Sequence, residues 1–140
     1  MLRHWSPLQP GVLCRKRDDQ ALFLVQTIFG VMGGIGADPE NVCLMKQTAD
    51  RLFDRDYVWS MFAAGKKQMP FATMGTVMGA NVRVGLEDSL CLEQGRLATS
   101  NAEQVTKVHT ILYTIGLEVA SPDGSREMLK LKGRNNVSFT

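Results

Sequence analysis

Apolar strand patterns that alternate with helix patterns constrain the fold of this chain more than any other feature. Residues 22–29 form a nearly continuous apolar run, which is typical of a strand buried on both faces of a parallel sheet. A glycine-rich loop follows at 30–36, and Asp38 with Pro39 predicts the beginning of a helix, with Asp38 as its N-cap. The apolar residues of that helix recur at helical spacing and form one stripe. They are Val42, Met45, Ala49, Leu52 and Phe53.

The same order of patterns repeats along the chain. A second buried strand is predicted at 57–64 and a helix at 68–78. A third strand is predicted at 82–87, followed by a helix at 101–115 and a last short helix at 121–129. Strand–helix units in this order predict right-handed parallel βαβ connections, and hence an α/β fold.

Three parallel strands are a poor complete sheet, because each strand needs cover on both faces and a neighbour on each edge. A complete (β/α)8 barrel needs roughly 200 residues or more, and this chain has 140. We therefore expect residues 21–133 to carry the last units of a larger α/β fold. Residues 1–20 do not form another such unit, and whether they are native structure, disordered or the product of an incorrect gene start stays open. Residues 134–140 are a polar tail.

Charge and cysteine content exclude several classes of protein. The net charge of +2 is too small to indicate a nucleic-acid partner, and the basic cluster at 15–17 is followed at once by two aspartates. The apolar stretch at 21–37 is too short and too rich in glycine for a membrane span. An odd number of widely spaced cysteines favours reduced thiols in a cytoplasmic protein over a disulfide framework or a structural zinc site. The cysteines are Cys14, Cys43 and Cys91.

The predicted third strand has one apolar face and one charged face, because side chains alternate along a strand. A carboxylate is costly to bury unless it is paired or bound to a metal. A strand that ends in Glu87 and Asp88 is therefore typical of an active-site wall. An edge strand with one solvated face stays open as the alternative. The apolar face holds Val82, Val84 and Leu86, and the other face holds Arg83, Gly85 and Glu87.

Four motifs occur along the chain in a specific order. They are QTIFG at 26–30, GGIGADPEN at 33–41, QMP at 68–70 and NVRVGLED at 81–88. In this order and spacing they resemble the C-terminal part of the β-keto acid cleavage enzymes, the family that includes 3-keto-5-aminohexanoate cleavage enzyme. The resemblance covers about residues 22–139. It implies that the chain is the C-terminal portion, about three βα units, of a zinc-dependent TIM (β/α)8 barrel.

The resemblance also implies chemistry for individual residues. Family members convert a β-keto acid and acetyl-CoA into acetoacetate and a new CoA thioester, so it implies acetyl-CoA as co-substrate. It assigns Glu87 to zinc, and Asp88 with Arg83 to substrate activation and proton transfer. Zinc on the keto oxygen would stabilise developing enolate charge, and a carboxylate beside a cation can serve as a base. It places the loop of Gly33 and Gly34 at the mouth of the active site, which implies contact with substrate or CoA.

The chain departs from the family in its histidines. Family members hold zinc with two histidines of an early strand besides the glutamate, whereas this chain has only His4 and His109, outside that motif's context. A catalytic zinc site usually has three protein ligands. We therefore expect a fragment of a zinc-dependent β-keto acid cleavage enzyme that is inactive alone. Full-length members commonly form homo-oligomers.

Other functions compete with this expectation. A non-catalytic fragment that associates with itself or with a full-length homologue is the first alternative, and a free-standing α/β binding domain is the second. The glycine-rich loop also suggests phosphate binding, because N–H groups at the beginning of a helix attract anions. It matches neither a P-loop nor a clean GxGxxG motif, which makes a tight strand-to-helix turn the simpler interpretation.

Overall fold

Three parallel strands, hydrogen-bonded in their order along the chain, form the central sheet, and a separate two-stranded hairpin follows it. The computed structural model describes residues 23–54 and 56–131. Its elements are β1 (Phe23–Phe29), α1 (Pro39–Phe53), β2 (Tyr57–Ala63), a 3₁₀ turn (Gly65–Lys67), α2 (Gln68–Val77), β3 (Asn81–Val82), β4 (Cys91–Glu93), β5 (Arg96–Leu97), α3 (Asn101–Thr114) and α4 (Pro122–Met128). The prediction of an α/β fold with parallel strands is confirmed. The place of these units in a barrel stays a prediction, and so do the segments 1–20 and 134–140, which lie outside the described residues.

The strands pair unequally. β1 and β2 are in register over all seven residues, from Phe23 opposite Tyr57 to Phe29 opposite Ala63. β3 pairs with β2 only at Asn81 and Val82. The sheet therefore has one long ladder and one short one.

The prediction of a strand over 82–87 is wrong in its extent. The ladder ends at Val82, and the chain reverses in a turn over 86–88. The backbone N–H groups of Asp88 and Ser89 both donate to the carbonyl of Gly85, each at 3.1 Å, and these bonds close the turn. The alternation itself holds at Val82 and Val84, which pack against a buried cluster of Met69, Ala72, Leu92 and Val108.

Helices cover one face of the sheet. Val42 of α1 and Phe71 of α2 join Phe29, Trp59 and Met61 in one buried cluster. The indole of Trp59 donates to the hydroxyl of Thr27 at 3.0 Å, which satisfies its polar group inside this cluster. A side chain at position 75 of α2 would clash with Met61, so Gly75 lets the helix approach β2 closely.

The opposite face of β1 is open within the described part of the chain. Leu24 is 61% exposed, Ile28 is 42% exposed, and Gln26 between them is exposed as well. The prediction that residues 22–29 are buried on both faces is therefore wrong for the described residues. The physical reason is that α1 and α2 both lie on the other side of the sheet.

The α3 helix begins with a reciprocal cap. The Ser100 hydroxyl accepts from the Glu103 backbone N–H at 3.1 Å, and the Glu103 carboxylate accepts from the N–H and the hydroxyl of Thr99. Arg96 of the hairpin also pairs with Glu103. The cap therefore ties the helix to the hairpin before it.

No helix in 23–54 or 56–131 is long and apolar enough to cross a membrane.

The one-sided cover of the sheet predicts unequal effects of two substitutions. Met61→Ala should lower the free energy of unfolding by about 2–5 kcal/mol, because it empties a fully buried position. Leu24→Ala should change it by only about 0.5 kcal/mol, because its side chain is largely exposed. Urea denaturation of both variants measures the difference. Equal losses would show that the second face is covered as well.

The Glu103 cap predicts a dependence of stability on pH. The Thr99 backbone N–H, and then its hydroxyl, hold the pKa of Glu103 below its ordinary value of 4.5. Because the folded-state pKa is the lower one, the stabilisation is complete above the unfolded-state value and is lost as pH falls through the folded-state value. Wild type should exceed Glu103→Gln in free energy of unfolding at pH 6, and the difference should shrink below pH 4.5. The exposed Glu118→Gln serves as the control, and a difference constant with pH would contradict the assignment.

Candidate active site

The loops that follow the three strands meet at one edge of the sheet, because parallel strands end on the same side. The N–H of Ala64 donates to the carbonyl of Phe29 at 2.9 Å, and the N–H of Gly65 donates to the carbonyl of Asp88 at 2.9 Å. These bonds join the end of β2 to the end of β1 and to the turn after β3. The exposed Lys66 follows in the same loop.

Arg83 and Asp88 form a two-pronged ion pair at this edge. The guanidinium Nε lies 3.1 Å from Asp88 Oδ2, and Nη2 lies 3.1 Å from Oδ1. The Asp88 side chain is only 11% exposed, whereas that of Arg83 is 42% exposed. The guanidinium also lies over the Phe62 ring, with Cζ 4.4 Å from the ring centroid. Arg83 is therefore oriented by a carboxylate and by an aromatic face at once.

Glu87 is held more loosely than Asp88. Its Oε1 lies 3.6 Å from Arg83 Nη2, and its side chain is 60% exposed. The carboxylate folds back over Gly85 and occupies the space that a Cβ at that position would need. Gly85 is thus required for the observed position of the Glu87 carboxylate. The structure brings Arg83, Glu87 and Asp88 together, while their predicted roles stay predictions.

The backbone that carries these acids is anchored by side chains of two helices. Gln68, the first residue of α2, donates through Nε2 to the Gly85 carbonyl at 3.0 Å. Gln104 of α3 donates through Nε2 to the Ser89 carbonyl at 2.6 Å. Neither glutamine has a role that the sequence alone predicts. The motif at 68–70 included Gln68, but nothing in the local pattern indicated which backbone group its amide meets.

The predicted binding residues Gly33 and Gly34 lie exposed in the loop after β1. Gly33 has a positive φ of 76°, and the N–H of Gly34 donates to the Val31 carbonyl at 3.0 Å. This geometry is that of a tight turn. The described contacts of both glycines are local, so their contact with substrate or CoA stays a prediction.

The described residues do not form a metal site by themselves. Among residues 23–54 and 56–131, no group of three or more His, Cys, Asp or Glu side chains could hold a metal ion. His109 is exposed on α3, and His4 lies outside the described residues. Glu87 with Asp88 therefore does not fit zinc without further ligands.

Comparison with known proteins gives one consistent family. The family described as beta-keto acid cleavage enzyme matches residues 12–131. The chain is 52% identical over 117 residues to the 3,5-dioxohexanoate:acetyl-CoA acetone transferase of Paraburkholderia graminis, covering 84% of this chain and 38% of the relative. It is 33% identical over 117 residues to the 3-keto-5-aminohexanoate cleavage enzyme of Acetoanaerobium sticklandii, covering 84% of this chain and 41% of the relative.

A third relative agrees with these two. The chain is 30% identical over 107 residues to the 3-oxoadipate:acetyl-CoA acetyltransferase of Cupriavidus necator, covering 76% of this chain and 37% of the relative. The chain thus spans about two fifths of the length of the relatives it matches.

The geometry around Arg83 predicts that its two acidic neighbours differ in coupling energy. A double-mutant cycle with Arg83→Gln and Asp88→Asn should give a coupling energy of about 1 kcal/mol between the two side chains. This is the upper range for a partly exposed pair, and we expect it because the pair has two hydrogen bonds. The matched cycle with Glu87→Gln should give less than about 0.3 kcal/mol, because that contact is longer and more exposed. Denaturant unfolding of the variants measures both values. Equal couplings would contradict the assignment of Asp88 as the partner of Arg83.

Proposed function

This chain belongs to the beta-keto acid cleavage enzyme family, and from that membership we propose that it forms the C-terminal part of an acetyl-CoA-dependent β-keto acid cleavage enzyme. The observation that carries the proposal is the Arg83–Asp88 ion pair, beside Glu87, at the carboxyl edge of a parallel sheet. Catalytic groups of (β/α)8 enzymes lie at that edge.

The proposed reaction exchanges two acyl groups. The bond between the keto carbon and the CH₂ of the β-keto acid breaks, and the acyl group released forms a new thioester with CoA. The CH₂–carboxylate portion forms a bond with the acetyl carbon of acetyl-CoA, and the acetyl–sulfur bond breaks, which yields acetoacetate and releases the CoA that takes up the other acyl group. The names of the relatives in Paraburkholderia graminis and Cupriavidus necator both include acetyl-CoA, which supports acetyl-CoA as the co-substrate.

Within this reaction we assign Asp88 to proton transfer, and we assign Arg83 to holding the Asp88 carboxylate in position. A guanidinium could instead pair with the carboxylate of the substrate. The two hydrogen bonds from Nε and Nη2 to Asp88 favour the holding role for those two nitrogens. The Phe62 ring beneath the guanidinium fixes its plane, so Asp88 is oriented before substrate arrives.

We assign Glu87 as one ligand of a zinc ion whose other ligands lie outside the described residues. Its exposure and its long contact to Arg83 leave the carboxylate available for that role. Since the described residues do not fit zinc alone, we propose that the chain is inactive without the part of the enzyme that carries the missing ligands.

The open sheet supports the proposal that these units belong to a (β/α)8 barrel. Leu24 and Ile28 are exposed on the face opposite the helices, where a barrel would have its packed interior. Phe62 lies opposite Ile28 in the β1–β2 register and lies under Arg83. The uncovered face and the guanidinium thus lie on the same side of the sheet. Full-length enzymes of this type would be cytoplasmic, which the widely spaced cysteines support.

Coexpression tests the proposal. The chain is produced with the N-terminal segment of the Paraburkholderia graminis relative that precedes the matched region, and the purified complex is assayed with 3,5-dioxohexanoate and acetyl-CoA. We expect acetoacetate formation and about one zinc per complex, the count implied by a single mononuclear site. Glu87→Ala should remove both, whereas Asp88→Asn should remove turnover and keep zinc.

The controls separate the alternatives. Glu118→Gln, which is exposed and lies outside the turn, should leave turnover and zinc content unchanged. A stable complex without turnover would favour the non-catalytic fragment. A soluble monomer that unfolds cooperatively and does not bind the N-terminal segment would favour the free-standing binding domain.

A further inference from the structure

Two buried glutamines hold the two ends of the turn that carries the acidic residues. Gln68 is 1% exposed and donates to the Gly85 carbonyl, and Gln104 is fully buried and donates to the Ser89 carbonyl. They come from different helices, so the turn is held from two sides. We infer that Gln68 and Gln104 are positioning residues, which fix the backbone of the Glu87–Asp88 turn through their amide N–H groups.

The chemistry of the amide supports this inference. A carbonyl oxygen can only accept a hydrogen bond, so each glutamine must present its NH₂ group to the turn. The Oε1 atoms of both side chains are then buried without a hydrogen-bond partner among residues 23–54 and 56–131. An unpartnered buried acceptor is costly, and an apolar side chain of similar length would avoid that cost. The presence of an amide at both positions is therefore explained by its donor.

The anchored carbonyls are directly connected to the reactive groups. The Gly85 carbonyl also accepts from the backbone N–H of Asp88 at 3.1 Å, and the Gly85 Cα lies beneath the Glu87 carboxylate. A shift of this carbonyl would thus move both acids relative to Arg83. The Asn101 side chain accepts from the N–H of Leu86 at 2.7 Å, which adds a third anchor from α3.

The two glutamines differ in what their loss leaves behind. Without Gln68, the Gly85 carbonyl keeps two backbone donors. Without Gln104, the described hydrogen bonds leave the carbonyl of the buried Ser89 unpartnered. Gln68→Met should therefore disturb the fold less than Gln104→Met. Gln68→Met is for that reason the variant that tests the positioning role.

The first test measures the geometry of the turn in this chain, without any assay. The ¹⁵N shift of Arg83 Nε reports its hydrogen bond to Asp88. Gln68→Met should change this shift and reduce the Arg83–Asp88 coupling measured by the double-mutant cycle. The matched control Gln94→Met, in the exposed hairpin turn, should leave both unchanged. An unaltered Arg83 signal and coupling in Gln68→Met would overturn the inference.

The second test rests on the proposed function and uses the coexpressed complex. Gln68→Met should lower kcat about 10- to 100-fold, as is typical for residues that orient catalytic or metal-binding groups, with KM changed less than about twofold. A rise in KM at unchanged kcat would overturn a positioning role. If wild-type complex shows no turnover, the proposed function fails while the Arg83 signal still decides the inference.

Discussion

The need of parallel strands for cover on both faces is the constraint on which the rest of this structure depends. In the described residues, α1 and α2 satisfy it on one side, where Val42 and Phe71 pack with Met61. On the other side Leu24 and Ile28 remain exposed. The same face carries Phe62, which is buried beneath Arg83, so the exposed residues of β1 lie beside the candidate site. Whatever covers this face would also line the site.

The short third strand is the second determinant of the site. If the ladder continued to residue 87, Glu87 would be fixed as one more strand residue. Instead the Gly85 carbonyl accepts two backbone N–H groups, and the chain turns back toward the end of β2, where Gly65 meets Asp88. The turn places two acids on one side of a single guanidinium, with Asp88 shielded and Glu87 exposed. One structural irregularity thus produces two carboxylates with different environments.

Much of this architecture follows from local sequence. The features that could not be predicted from local sequence share one cause. The stripe of α1 and Pro39 at its first position predicted that helix, because periodicity and helix-start chemistry are local. Alternation at Val82 and Val84 was equally local. The end of β3 depends instead on a partner strand and on Gln68, which lies 17 residues before the Gly85 carbonyl it contacts. The exposure of Leu24 depends on which elements are present to cover it. An apolar run has the same sequence pattern whether or not its second face is covered.

The anchoring of the turn explains how Arg83, Glu87 and Asp88 are held together within the described residues. The described residues supply a guanidinium and two acids but not a full set of metal ligands. Backbone hydrogen bonds alone would leave such a turn at the margin of a sheet, where local opening is easiest. Amides from α2 and α3 attach it to the buried cluster that joins those helices, which includes Met69 and Val108. The turn is thus hydrogen-bonded to helices on the covered side of the sheet, while both carboxylates lie beside Arg83 on the open side.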